Sequence, residues 1–225
     1  MKKYAFWKGA FKEGMNMEKK VSQAVIRRLP RYHVHLRELQ DMGVTKISSK
    51  ELGDKMGLTA SQVRQDFNCF GGFGQQGYGY PVDGLLDSIA GILKMDQMKT
   101  AVIIGAGNLG CAIINNFNFF KNGFKLVAAF DADPNLIGTE ISGVPVYDVR
   151  DLRDYCTEHQ PDVGVLTMPK KFARETAGIL CDCGIRGIWN FTNIDLHLDI
   201  DAVPVENVHF AESLMVLSYK LGEKK

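Results

Sequence analysis

Ala101-Val102-Ile103-Ile104-Gly105-Ala106-Gly107-Asn108-Leu109-Gly110 joins a run of branched apolar residues directly to the spacing G-x-G-x-x-G. The run reads as a parallel strand buried on both faces. Each glycine has its own reason. Gly105 permits the tight turn, Gly107 lets backbone approach a pyrophosphate, and Gly110 lets the next helix pack closely on the strand. Asn108 and Leu109 open that helix, whose N–H groups and positive dipole end attract phosphate. A second expected strand, Lys125-Leu126-Val127-Ala128-Ala129-Phe130, leads to Asp131, 21 residues after Gly110. A dinucleotide fold places there the carboxylate that hydrogen-bonds the adenosine ribose. With no arginine beside it, that acid favours NAD(H) over the 2′-phosphorylated form. The expected cofactor contacts here are Gly105, Ala106, Gly107, Asn108, Leu109, Gly110, Asp131 and Asp133. A glycine-rich turn in a plain α/β core is the alternative.

The totals fit an ordinary globular protein: 225 residues, 45% hydrophobic and 24% charged. No apolar run reaches the length of a membrane span, and the N-terminus lacks a signal-peptide core, so a cytoplasmic protein is expected. Five cysteines fit reduced thiols, and the scattered histidines and the lone C-x-C at Cys181 and Cys183 suggest no metal. Net charge of +1 hides an asymmetry. Residues 1–98 carry 15 Lys and Arg against 10 Asp and Glu, whereas residues 99–225 carry 12 against 16. A basic front half joined to an acidic nucleotide-binding half suggests a phosphate-bearing partner at the front.

Residues 1–16 are basic, aromatic and aperiodic, the pattern of a flexible extension. From Lys20 to Met42 the pattern is helical, with a break or restart at Pro30 and a C-cap at Gly43. Ala24, Leu29, Tyr32, Leu36 and Leu39 form its expected apolar face. Arg27, Arg28, Arg31 and Arg37 are either phosphate contacts or a solvated face. Ser48-Ser49-Lys50-Glu51 and Thr59-Ala60-Ser61-Gln62 have capping-box spacing, and Gly57-Leu58 connects the two helices tightly: a helix-turn-helix. Val63, Phe67 and Phe70 face inward on the second helix. Ser61, Gln62, Arg64, Gln65 and Asn68 are left outward, the residue types that read base edges and grip phosphates. A polar helix face in a small bundle is the plainer reading. The run from Phe70 to Pro81 has five glycines in twelve residues, interleaved with aromatics, and suits a β-wing beside DNA. An amphipathic helix with Leu85, Ile89 and Ile92 closes the unit, and residues 94–98 form a linker.

Behind Asp131 come an expected strand over residues 143–147, a polar helix over 151–159 and a strand over 163–167. A helix over 172–183 and a strand over 187–191 complete a sheet of about five strands. Thr167, Met168 and Pro169 sit at a strand's carboxyl end, where ligands bind in open α/β sheets. Asn190 and Phe191 sit at another, beside the nicotinamide or as a capped strand end and a core aromatic. Residues 211–221 read as a helix with Leu214, Leu217 and Leu221 on one stripe and Met215, Val216 and Tyr219 beside it. That much apolar surface needs burial on more than one side, by a partner chain or by its own sheet.

The order Ser61-Gln62-Val63-Arg64-Gln65-Asp66, Phe70-Gly71-Gly72-Phe73-Gly74, Gly77-Tyr78-Gly79-Tyr80 and Gly105 to Gly110 resembles the Rex family of redox-sensing transcriptional repressors. Leu166-Thr167-Met168-Pro169 and Gly187-Ile188-Trp189-Asn190-Phe191 extend the likeness. The resemblance implies an α/β homodimer that binds pseudo-palindromic operator DNA and releases it when NADH outcompetes NAD⁺. It implies a winged-helix domain over residues 17–95, a Rossmann NAD(H)-binding domain over 99–206 and a swapped C-terminal helix over 207–225. On it, Ser49, Ser61, Gln62, Arg64, Gln65, Asn68, Gly74, Gln75, Gln76 and Tyr78 meet DNA. Thr167, Met168, Pro169, Asn190, Phe191 and Phe210 line the cofactor pocket. Asn116 and His209 stand where many relatives carry a tyrosine and an aspartate, and Gln75-Gln76 where a basic wing is common. No hydride-relay histidine or substrate-binding domain is evident, so the cofactor reads as a ligand and not a reagent. A small NAD-dependent oxidoreductase with a dimerising front domain is the alternative. A nucleotide-dependent interaction protein that does not bind DNA is a third.

Overall fold

The computed structural model describes residues 21–70, 79–198 and 203–222. The chain divides into two compact units between Asp96 and Gln97. In the first, α1 (Gln23–Asp41) is followed by β1 (Lys46–Ile47), α2 (Ser49–Met56), α3 (Ala60–Asn68), β2 (Tyr80–Pro81) and α4 (Val82–Ile92). Helix α1 runs unbroken through Pro30, where a restart is expected from sequence. Pro30 lies on the exposed side, so the carbonyl that loses its partner can turn to water. The stripe Val25, Leu29, Tyr32, Leu36 and Leu39 anchors the helix on both sides of it. Val25, not the expected Ala24, belongs to that stripe, and Ala24 is exposed.

The start signals at α2 and α3 differ in outcome. Ser48 and Glu51 form a full reciprocal capping box. Thr59 caps α3 by accepting from the Gln62 N–H at 3.1 Å, without the reciprocal bond. Gly57 ends α2 at φ +68°, a left-handed conformation that glycine adopts without strain. At the far end of the glycine-rich run, β2 pairs antiparallel with β1, the strand that precedes α2, with Ile47 opposite Tyr80. Leu29, Leu52, Val63, Phe67, Leu85 and Ile89 fill the core, with the Tyr32 and Phe67 rings 4.9 Å apart.

The second unit is built on a seven-stranded sheet in the order β5-β6-β4-β3-β7-β8-β9. Its strands are β3 (Lys99–Ile104), β4 (Phe124–Asp131), β5 (Glu140–Ile141), β6 (Val144–Asp148), β7 (Val163–Leu166), β8 (Gly187–Asn190) and β9 (Val205–Asn207). All neighbours are parallel except β5 with β6. The two strands beyond the expected five, β5 and β9, are two and three residues long and carry no apolar run to betray them. Helix α5 (Asn108–Asn116) covers one face of β3. Helices α6 (Leu152–His159) and α7 (Lys170–Asp182) pack on the other, against Val102, Ile104, Phe130 and Leu166. Val102, Ile103 and Ile104 are all buried, as a strand covered on both faces requires. From β3 the chain first builds towards β6 and then returns to build β7, β8 and β9 on the other side. The strand order therefore reverses between β3 and β7, and a crevice for ligands opens at their carboxyl ends.

The last helix, α8 (Phe210–Gly222), has no buried residue. Leu214, Met215 and Leu221 are each about two-thirds exposed, so α8 does not pack on its own sheet. No helix among the described residues is long and apolar enough to cross a membrane.

Candidate nucleotide site and nucleic-acid interface

The glycine loop fills the β3 end of the crevice. Gly105 takes φ +100°, and a Cβ there would come within 2.7 Å of the Met168 nitrogen, so the loop lies directly on the Thr167-Met168 backbone. The Thr167 hydroxyl fastens it by donating to the Gly105 carbonyl at 2.6 Å. A Cβ on Gly110 would lie 1.9 Å from the Gly105 oxygen, which is why α5 can begin so close to the strand. Gly107 faces open space and caps α5 without a side-chain hydrogen bond. The first N–H groups of α5 are thus left for a ligand, and a phosphate is the group that fits them. Ala106 is fully buried beneath the loop, and Asn108 opens the helix at the exposed edge.

Asp131 ends β4 beside this loop. Its carboxylate accepts from the Ala106 N–H at 2.6 Å and from the N–H groups of Ala132 and Asp133 at 2.7 and 2.9 Å. It therefore shapes the glycine loop from the carboxyl end of β4, with both oxygens engaged by backbone N–H groups. Asp133 spends an oxygen on the Asn135 N–H and side-chain amide. Across the crevice, Thr167 and Met168 are half-buried and Pro169 caps α7. Phe191 stacks edge-on against Trp189 at 4.6 Å, and its ring lies 6.3 Å from that of Phe210, the first residue of α8. Asn190 is fully buried, and its amide bonds only to protein groups around it. Its side chain is a brace for this corner and not a free polar group. An apolar cavity of about 400 Å³ lies at the other end of the strands, lined by Phe117, Phe119 and Trp189, so cavity size alone does not find the crevice.

In the first unit, Ser61, Arg64, Gln65 and Asn68 are exposed on α3 and Gln62 is half-buried. The Arg64 guanidinium donates to Ser49 Oγ on α2 at 3.1 Å, drawing two of the expected DNA contacts together. Gly74, Gln75, Gln76 and Tyr78 lie outside the described residues. Of the four arginines on α1, Arg28 and Arg31 have internal work. Arg31 donates to the Met56 carbonyl. Arg28 grips Asp66 with two bonds of 2.7 Å, and the Tyr32 hydroxyl adds a third at 2.8 Å.

That triad escaped the reading of the sequence. Asp66 follows Val63 by three residues and precedes Phe67 and Phe70 on one face, and an acid on an apolar stripe is the sign of a buried partner. The hydrogen bond to Asp66 holds the Arg28 guanidinium above its ordinary pKa. Burial first, and then the bond to Asp66, raise the Tyr32 hydroxyl well above the usual tyrosine range. The pair fixes the roll of α3 against α1, and hence which side chains face outward.

Known families match both units. Residues 20–68 match the family described as "Putative DNA-binding protein N-terminus", and residues 96–194 match "CoA binding domain". The redox-sensing transcriptional repressor Rex of Caldicellulosiruptor saccharolyticus is 49% identical over 210 residues, covering 93% of this chain and 95% of the relative. That of Clostridium beijerinckii is 49% identical over 211 residues, covering 94% and 100%. Among solved structures, RSP in complex with β-NAD⁺ and operator DNA superposes with a TM-score of 0.84 at 51% identity, covering 91% of this chain and 94% of that one. RSP in complex with β-NADH gives 0.84 at 47%, covering 92% and 97%. The chain belongs to the Rex family of redox-sensing transcriptional repressors.

Proposed function

We propose that this chain represses transcription as a homodimer, holding operator DNA with α3 and releasing it when NADH replaces NAD⁺ at the Gly105–Gly110 crevice. One observation carries the reading. A single chain presents an outward polar helix braced in a helix-turn-helix and an uncapped helix N-terminus behind a glycine loop, and the similar protein RSP is solved with both kinds of ligand. Ser49, Ser61, Gln62, Arg64, Gln65 and Asn68 meet the DNA, with Gly74, Gln75, Gln76 and Tyr78 supplying the wing. The nucleotide is a ligand and not a reagent, and the protein works in the cytoplasm. Relatives at about half identity are named as repressors, which supports that reading over the oxidoreductase.

The contacts at Gly107, the α5 amides and Asp131 meet parts common to both cofactor forms and cannot tell them apart. Discrimination falls to the nicotinamide, cationic in NAD⁺ and neutral in NADH, where Phe191 and Phe210 supply aromatic surface. An apolar enclosure penalises the cation by its desolvation cost. The exposed apolar face of α8 packs on the second copy, and nucleotide-dependent closure there changes the spacing of the two α3 helices. Gel shift on a pseudo-palindromic duplex tests the reading. Retarded DNA released by NADH but not by NAD⁺ is expected. DNA that stays bound at saturating NADH, or steady NADH oxidation with simple carbonyl compounds, would contradict it.

A further inference from the structure

We propose that a knot of three asparagines, Asn190, Asn193 and Asn207, is the device that transmits nucleotide state from the crevice to α8. The inference rests on the functional reading above and adds a role for residues outside the nucleotide contacts. The Asn190 Nδ2 donates to the Ile194 carbonyl at 2.9 Å and to Asn207 Oδ1 at 2.7 Å. Its Oδ1 accepts from the Thr192 N–H at 3.0 Å and hydroxyl at 2.6 Å. One fully buried amide thus closes the turn that follows Phe191 and ties that turn to the strand leading into α8.

Two further ties join the same pair of segments. The Val208 N–H donates to the Asn190 carbonyl at 2.8 Å. Asn193, held at φ +59° where asparagine is tolerated, meets His209 Nδ1 through its side-chain oxygen at 3.2 Å. Phe191 and Phe210, the aromatic pair at the nicotinamide end, are therefore mounted on two segments cross-braced by these asparagines. A shift of Phe191 on exchange of cofactor moves the root of α8 with it. Helix α8 has 13 residues. At ~1.5 Å per residue it is about 20 Å long, so a tilt of about 10° at the root moves its far end by about 3 Å. Asn190 is the buried anchor of the network, and Asn193 and Asn207 are its exposed outer arms. A buried amide with every bond made has discrete arrangements and not a continuum, as a switch needs.

The test compares the full-length protein with Asn193→Ala/Asn207→Ala, which cuts the two side-chain ties to the α8 root. Asn190 keeps its bonds within the turn, so the fold is preserved, and Asn207→Ala alone serves as the milder variant. NADH is titrated with and without a duplex selected by this protein from random DNA. The wild-type dissociation constants should differ by roughly 5- to 150-fold. In the double variant the ratio should fall towards one, with DNA-free NADH affinity and nucleotide-free DNA affinity kept. A variant that retains the wild-type ratio overturns the proposal alone. So does a variant that loses NADH binding outright, since the knot would then belong to the pocket. A wild-type ratio of one overturns the functional reading, and the proposal with it.

Discussion

Asp66→Ala should be among the most damaging single changes in the first unit, although Asp66 itself is buried and not one of the outward residues of α3. The Asp66 side chain is 3% exposed, and the Arg28 side chain that it pairs is 20% exposed. Truncation strands the Arg28 guanidinium and the buried Tyr32 hydroxyl together. Breaking such a pair costs about 3–5 kcal/mol, against about 0–1 kcal/mol for a pair in water. For a unit of this size that is a large share of a stability of about 5–15 kcal/mol. Amide hydrogen exchange followed by mass spectrometry reads it locally. Protection of α1 and α3 peptides should drop about 100-fold or more, while β3 and β7 of the other unit are unchanged. Tyr32→Phe, which removes one bond, should cost about 0.5–1.5 kcal/mol. The triple change Arg28→Met/Asp66→Leu/Tyr32→Phe should restore most of the protection, because apolar replacement of a whole buried pair is often neutral. A loss below about 1 kcal/mol in Asp66→Ala would refute the reasoning, since the pair would then behave as though it lay in water.

Gly107→Ala and Gly110→Ala should separate ligand contact from folding. The first adds a Cβ in open space and should fold normally while weakening NADH binding; the second drives a Cβ into the Gly105 carbonyl and should lose both. Calorimetric titration and a thermal melt decide, and unaltered NADH affinity in Gly107→Ala would remove the pyrophosphate from this loop. Acid should loosen the sheet through Asp162. Burial pushes that carboxyl up, but the Thr100 N–H and Arg186 outweigh it and hold it below the ordinary carboxylate range. Its stabilisation is present above that range and lost as pH falls through the lowered value. Asp162→Asn should accordingly be destabilised at neutral pH, with the gap from wild type closing below pH ~4 in urea titrations. A gap that widens in acid would contradict the assignment. Among the thiols, burial together with nearby Cys183 pushes Cys156 up to about 12, whereas Cys69 is exposed. Iodoacetamide at mildly alkaline pH should label Cys69 first and Cys156 last, and the reverse order would show the α6 core to be open.

The crevice was legible because its demands are backbone demands. Close approach at Gly105 and Gly110 leaves only glycine, and glycines at fixed spacing survive as text. The capping box at Ser48 and the inward face of α3 were equally plain, since both follow local periodicity. Three features were not. Pro30 reads as a break, yet burial on either side carries α1 through it. β5 and β9 exist by pairing with longer strands, which no local pattern records. The Arg28–Asp66 pair and the asparagine knot join residues distant in sequence. Arg28 therefore reads as a phosphate contact or a solvated face, and Asn190 as a nicotinamide neighbour or a capped strand end, with no sign of the partners their side chains take inside the protein. Polar residues announce that they need a partner, but not which one.

Operator affinity of the wild-type protein, measured at saturating NAD⁺ and again at saturating NADH, tests the central claim most directly. Binding in NADH should be weaker by roughly 5- to 150-fold, the usual span of allosteric coupling. Equal affinity in the two cofactors would contradict the account.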